Sequence, residues 1–137
     1  MPNFYAQYGG VFSLAAAFSG LEHDGLGRYG DPVSPNGDLD ALREIFLLVE
    51  PGGVLLLALP TCFQDTLYYP AHRFYGPIRL NFLLTQSRFT MVGRVWNGTV
   101  VKGGMDSANE KPTLWVKDCK DWRHEQVLVL QKPSNPI

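Results

Sequence analysis

Two short apolar segments with an amphipathic segment between them constrain the fold of this chain most strongly. Val11–Phe18 and Val54–Leu59 are continuously apolar, which is typical of strands buried on both faces of a parallel sheet. Between them, apolar residues recur at helical spacing on one face: Leu39, Leu42, Ile45, Phe46 and Val49. The sequence Glu-Pro-Gly-Gly at 50–53 ends this helix, because proline cannot continue a helix and glycine accepts a positive φ. The pattern therefore predicts a right-handed βαβ unit with parallel strands.

The C-terminal part predicts one more helix and a set of antiparallel strands. Pro77–Gln86 carries proline in the first turn of a short helix. Its apolar contacts are expected to be Ile78, Phe82 and Leu83. Phe89–Trp96 and Thr99–Lys102 are strand-like and flank Asn97-Gly98, a tight-turn dipeptide that also begins a glycosylation sequon. Val127–Leu130 is a last buried strand. We therefore expect an α/β fold, a partial Rossmann-like doubly wound sheet with a parallel βαβ core and antiparallel C-terminal strands, in a single domain over residues 1–137.

Composition excludes several classes of protein. The net charge of −1 over 137 residues gives no electrostatic basis for binding nucleic acid or an anionic membrane. No apolar run approaches the roughly 20 residues of a membrane helix, and no Lys or Arg precedes Arg28 to make a signal peptide. Cys62 and Cys119 are too far apart for a CxxC metal site, so we expect two reduced thiols. A cytoplasmic protein is the expectation.

Two loops rich in polar and aromatic side chains follow the two predicted parallel strands. The first loop, Glu22–Asp31 (EHDGLGRYGD), crowds six such side chains among three glycines. The second loop, Pro60–Gly76, carries His72, Arg73 and Tyr75. Because ligands in open α/β sheets bind outside the carboxyl ends of the strands, we expect both loops to line one site for a small-molecule substrate.

The residue types in these loops indicate roles. His23, Asp24 and His72 are candidate acid–base groups, since histidine titrates closest to neutral pH. Arg28 and Arg73 are candidates to hold an anionic group through paired hydrogen bonds. Further substrate contacts are expected from Tyr29, Asp31 and Tyr75. The alternative is that the histidines only bind backbone groups and that the arginines only pair with acids of the loop.

Three other readings of these residues are weaker. The segment 25–30 matches GxGxxG, but Asp31-Pro32 follows it and no helix is expected before Asp38, as a dinucleotide site would require. The set His23, Asp24, Asp31 and His72 lacks the short spacing of a metal site, so no metal is predicted. A serine-hydrolase GxSxG motif is absent from the sequence.

The order of these parts resembles the second half of a class I S-adenosylmethionine-dependent methyltransferase. In that class the fourth strand often leads into Leu-Glu-His, here 21–23, and the next helix ends in a Pro-Gly-Gly turn, here 51–53. A closer resemblance is to an uncharacterised, methyltransferase-like family, domain of unknown function 268. The segments that carry it are Glu22–Asp31, Asn36–Leu39, Ala71–Gly76 and Val127–Pro133.

The resemblance implies a cofactor and a reaction. It implies S-adenosylmethionine, with Ser19, Glu22 and His23 on the methionine side, and methyl transfer to a small polar substrate. A complete methyltransferase begins with a strand, a Gly-rich turn and an acidic residue for the ribose, which nothing before Val11 supplies. We therefore expect the chain to lack the N-terminal cofactor-binding half, and its first strand to have an unpaired edge that favours self-association or a complementary chain. The alternatives are a noncatalytic binding or interaction module derived from that fold, and a sugar- or phosphate-binding domain.

Overall fold

The computed structural model describes residues 2–105, 110–111, 113–116, 119 and 125–134. The helices are α1 (Pro2–Tyr8), α2 (Gly37–Leu48) and α3 (Pro77–Ser87), with a 3₁₀ turn at Leu21–His23. The strands are β1 (Phe12–Phe18), β2 (Val49–Pro60), β3 (Thr66–Tyr68), β4 (His72–Phe74), β5 (Thr90–Trp96), β6 (Thr99–Lys102) and β7 (Glu125–Gln131). Within this part of the chain, no helix is long and apolar enough to cross a membrane.

A five-stranded sheet with the order β1-β2-β7-β5-β6 forms the centre of the fold. β1 and β2 are parallel, with Ala15 opposite Leu55, whereas β7 runs antiparallel to both β2 and β5. This confirms the predicted α/β class, the parallel core and the antiparallel C-terminal strands. β5 and β6 form a hairpin through Asn97 and Gly98, whose φ angles of 48° and 78° are those of a tight turn with two left-handed residues. The interpretation of Asn97-Gly98 as a turn is therefore confirmed.

The core lies between one face of the sheet and the layer of α2 and α3. Fully buried leucines come from both helices, from the central strands and from the segment 113–116: Leu42, Leu55, Leu59, Leu80, Leu83, Leu114, Leu128 and Leu130. The predicted contact of Ile78 is wrong, because that side chain is 80% exposed. The placement of Val49 in the helix is also wrong. Helix α2 ends at Leu48, and Val49 has φ −78° and ψ 137°, which are the angles of an extended residue.

β1 is an edge strand, and the prediction that it is buried on both faces is wrong. Ala15 and Ala17 pack partly against the core, but Leu14 is 59% exposed and Phe18 is 61% exposed. The reason is that, among the described strands, β1 pairs only with β2, and its Leu14 side of the sheet is the one opposite the α2–α3 layer. The strand therefore presents an apolar side to solvent.

The two cysteines form a disulfide, so the prediction of two reduced thiols is wrong. Cys62 and Cys119 have their Cα atoms 5.2 Å apart, although 57 positions separate them in the sequence. The segment 113–116 lies beside the loop that follows β2. The Thr61 hydroxyl donates to the Leu114 carbonyl at 2.6 Å, and Phe63 N–H donates to the Val116 carbonyl at 2.8 Å. This pairing belongs to the tertiary structure and has no signature in the spacing of the cysteines.

Candidate functional site

The first loop closes on itself directly after β1. Gly25, Gly27 and Gly30 all have φ near 80°, a conformation that side chains disfavour. Gly25 N–H donates to Asp31 Oδ2 at 2.8 Å, and this hydrogen bond is the main reason that the pKa of Asp31 is lowered. Asp31 therefore helps to hold the loop together. Since α2 begins only at Gly37, the Gly-rich segment opens no helix, as expected for a loop that is not a dinucleotide fingerprint.

The second loop reaches back to the first through the hairpin of β3 and β4. The Ala71 carbonyl lies 2.6 Å from His23 Nδ1, and Arg73 Nη1 donates to the Asp24 carbonyl at 2.6 Å. The rings of His23 and His72 meet edge to face with their centres 5.8 Å apart. The two polar loops therefore do meet at the carboxyl ends of the parallel strands.

A cavity of about 370 Å³ lies where the loops meet. Its lining consists of Ser19, Glu22, His23, Arg28, Tyr29, Pro60 and His72. Six of the ten site residues named from the sequence are in this set. We call it the loop cavity.

His23 is held in one orientation within the loop cavity. A carbonyl oxygen only accepts hydrogen bonds, so Nδ1 carries the proton that faces the Ala71 carbonyl. In the neutral ring this leaves the Nε2 lone pair free. Nε2 lies 3.6 Å from Glu22 Oε1, which accepts a 2.9 Å hydrogen bond from the Ser19 hydroxyl. Glu22 is only 2% exposed, so its carboxylate acts in a medium of low polarity.

The pKa values of His72 and Asp24 are shifted in opposite directions. Burial lowers the pKa of His72, and the positive charges of His23 and Arg28 lower it further. Burial, and then the charge of Asp31, raise the pKa of Asp24 above its ordinary value, against the smaller effect of Arg73. Asp24 is outside the lining of the loop cavity, where its backbone carbonyl instead anchors Arg73.

Arg73 and Tyr75, both named as substrate contacts, instead lie around a buried carboxylate. Asp38 is fully buried and accepts hydrogen bonds from the Tyr75 hydroxyl at 3.0 Å and from Arg79 Nη2 at 2.5 Å. Arg73 Nε lies 3.7 Å from the same carboxylate. Tyr75 is fully buried and is outside the lining of the loop cavity. Burial, followed by the Asp38 charge, raises the pKa of Tyr75 well above its ordinary value.

Asp38 is the residue that sequence reasoning missed. Its position at the start of α2 suggested an ordinary acid near the helix dipole, and nothing local to the sequence shows that Tyr75 and Arg79 converge on it. A second cavity, of about 430 Å³, opens beside this cluster and is lined by Arg73 and Arg79 among mostly apolar residues. Among the residues that the structure describes, no three His, Cys, Asp or Glu side chains are grouped as metal ligands would be.

Comparison with solved structures shows that the fold is similar to that of S-adenosylmethionine-dependent methyltransferases. The 1,6-didemethyltoxoflavin-N1-methyltransferase of Burkholderia thailandensis, solved with 1,6-didemethyltoxoflavin and S-adenosylhomocysteine, is 18% identical with a TM-score of 0.59 over 91% of this chain and 45% of its own. A SAM-dependent methyltransferase of Methanosarcina mazei is 16% identical with a TM-score of 0.56, over 93% of this chain and 62% of its own. The [4+2]-cyclase SpnF is 15% identical with a TM-score of 0.54, over 93% of this chain and 52% of its own.

This chain therefore spans about half the length of these proteins and shares their Rossmann-like fold. No curated protein matches the sequence. Residues 1–132 match the family described as "Caenorhabditis protein of unknown function, DUF268", and the chain belongs to that family.

Proposed function

We propose that this domain takes part in S-adenosylmethionine-dependent methyl transfer to a small polar molecule bound in the loop cavity. The observation that carries the proposal is the oriented His23 ring, whose Nε2 lies beside a buried carboxylate at the carboxyl ends of two parallel strands. The fold of the methyltransferases from Burkholderia thailandensis and Methanosarcina mazei supports it.

His23 is the proposed general base. Nε2 would remove the proton from the attacking hydroxyl or amine of the substrate, while the Ala71 carbonyl keeps the other ring proton on Nδ1. The Glu22 carboxylate would stabilise the positive charge that His23 acquires. S-adenosylmethionine, when bound, supplies an electrophilic methyl group. The chain's own task is then to orient the substrate and to take up its proton.

The residues present fit one end of this cofactor. The Ser19 hydroxyl and the Glu22 carboxylate offer oxygen acceptors at the end of β1, which suit the ammonium group of a methionine moiety. In the part of the chain that the structure describes, no strand lies beyond the exposed edge of β1 to meet the adenosine moiety. A complete cofactor site therefore requires groups outside the described residues, and we propose that residues 1–137 form the substrate half of such a site.

Calorimetry with S-adenosylmethionine and with S-adenosylhomocysteine tests the proposal. We expect weak, saturable binding of both, because the chain offers partners only to the methionine end of the cofactor. We expect His23→Gln to keep that binding while abolishing methyl transfer, since the Gln amide cannot take up the substrate's proton. Arg43→Gln, which alters an exposed arginine on α2 outside the loop cavity, is the control and should retain transfer. If neither compound binds, the proposal that this chain alone catalyses methyl transfer is refuted. Full transfer activity in His23→Gln would refute the assigned base.

The second candidate is a noncatalytic binding module, and the exposed side of β1 favours it. A related fold also occurs in a protein named as a [4+2]-cyclase, so the fold alone does not determine the chemistry. Under this alternative the loop cavity binds a ligand, but neither S-adenosylmethionine nor S-adenosylhomocysteine changes its affinity. The same calorimetry therefore separates the two candidates.

A further inference from the structure

We propose that the ligand of the loop cavity carries an oxyanion, a carboxylate or a phosphate group, which binds between Arg28 and His72. The inference deepens the proposed function and rests on it only for the role of this ligand as the methyl acceptor. It concerns the chemical class of the substrate.

The first observation is the difference between Arg28 and the arginines around Asp38. Arg73 and Arg79 already bind the buried Asp38 carboxylate and backbone carbonyls, which hold both guanidinium groups in place. Arg28 is exposed at the loop cavity and, among the described residues, makes neither a hydrogen bond nor an ion pair. Its guanidinium carbon lies 5.4 Å from the centre of the Tyr29 ring. A guanidinium over an aromatic face keeps its N–H edges free for a planar oxyanion.

The second observation is that His72 lines the same cavity and, among the residues that the structure describes, forms no ion pair with a carboxylate. Its ring is packed by His23 at 5.8 Å, Tyr68 at 5.7 Å and Phe74 at 4.9 Å between ring centres. The charged or titratable groups in the cavity lining or packed on His72 are Glu22, His23, Arg28, Tyr29 and Tyr68. The one acid among them, Glu22, lies 3.6 Å from His23 Nε2. The exposed guanidinium of Arg28 brings a permanent positive charge to the cavity, which favours an anion.

An anion at this place would couple binding to protonation. Burial, and then the charges of a protonated His23 and of Arg28, lower the pKa of His72 in the free protein, which favours its neutral form. A bound oxyanion brings negative charge close to His72 and so favours its protonated form. The protonated ring then donates a charge-assisted hydrogen bond to the oxyanion, in addition to those from Arg28. Binding should therefore tighten as the pH falls. Because the rings of His23 and His72 are 5.8 Å apart, the attacking atom of the substrate would lie only a few bonds from its oxyanion.

Sulfate is the first probe, because its charge is constant over the range from about pH 5.5 to 8 in which histidine titrates. Nuclear magnetic resonance titration of the histidine rings, assigned with His72→Gln, reports the pKa of His72 with and without sulfate. We expect sulfate to raise the pKa of His72. We expect sulfate to bind roughly tenfold more tightly near pH 5.5 than near pH 8, which corresponds to an increase of about one unit in that pKa. Arg28→Gln should weaken binding by at least about tenfold. Arg43→Gln, which alters an exposed arginine on α2 bonded only to Gln86, should change nothing.

Acetate and methyl phosphate then identify which oxyanion the site prefers, and the tighter of the two defines the substrate class. An unchanged pKa of His72, or equal sulfate affinity in Arg28→Gln and the unaltered protein, would overturn the inference. Thermal melting checks that Arg28→Gln is folded, which we expect because the side chain is exposed. These measurements need no S-adenosylmethionine, so failure of the cofactor to bind would remove the role as methyl acceptor but not the oxyanion site.

Discussion

Replacement of Asp38 by asparagine tests the buried cluster that supports the site. The substitution keeps the shape of the side chain and an acceptor for the Tyr75 hydroxyl, but it removes the charge that faces Arg73 and Arg79. Breaking one side of a buried ion pair costs about 3–5 kcal/mol, because the remaining charge stays in a medium of low polarity. Arg73 is only 7% exposed, whereas the side chain of Arg79 is 24% exposed and can turn toward water. We therefore expect the lower figure, about 3 kcal/mol.

Urea unfolding monitored by circular dichroism measures this loss, which would be a large part of a total stability of about 5–15 kcal/mol. Asp40→Asn is the matched control, an exposed acid in the same helical turn, and it should change the free energy of unfolding by less than about 1 kcal/mol. Tyr75→Phe removes one hydrogen bond to the charge and should cost about 1.5–3 kcal/mol. If Asp38→Asn unfolds within about 1 kcal/mol of the unaltered protein, the ion pairs do not stabilise the fold and this reasoning fails.

Three further outcomes follow from the structure. In urea unfolding, Gly25→Ala should destabilise the protein by about 1 kcal/mol more than Gly30→Ala. Both glycines have a positive φ, but of the two only Gly25 has backbone atoms where the Cβ would lie. Equal losses of unfolding free energy in the two variants would refute this. The pKa of His72 is lower in the folded protein than in the unfolded chain, so the unfolded chain binds the proton more readily and stability should decline as the pH falls below about 6.5. In His72→Gln, the urea midpoints measured above and below this pH should differ less than in the unaltered protein. We expect Leu14→Lys to reduce any self-association seen by light scattering, and Leu47→Lys, at an equally exposed position on α2, to leave it unchanged.

The parts of the fold that the sequence predicted are those encoded by local patterns. The helical spacing of Leu39, Leu42 and Phe46 and the apolar run from Val54 define α2 and β2, and the parallel pairing follows from general rules of chain connection. Those rules also bring His23 and His72 to one edge of the sheet. The pattern of β1 was misleading, because a continuous apolar run indicates a strand but not what covers it.

The remaining features depend on contacts between distant segments. Tyr75 and Arg79 reach Asp38 from positions about 40 residues away, so an acid that resembles a helix cap in sequence is a buried anchor in the structure. The disulfide has the same character, since the partner of Cys62 is selected by the path of the segment 113–116. From the sequence alone, Arg28 and Arg73 are equally good candidates to bind an anion. Only their burial and their hydrogen-bond partners in the structure distinguish them.

The alternation of side chains along β4 ties the chemistry of the loop cavity to the stability of the core. His72 and Arg73 are neighbours in the chain but project to opposite sides of the hairpin, one into the loop cavity and the other toward Asp38. Tyr68 is paired with His72 in the β3–β4 register. Insertion or deletion of a single residue within this short hairpin would exchange the two sides, placing an imidazole against the buried carboxylate and a guanidinium in the loop cavity. The hairpin thus tolerates substitution far better than a change in length, and natural variation in length should be confined to its tip.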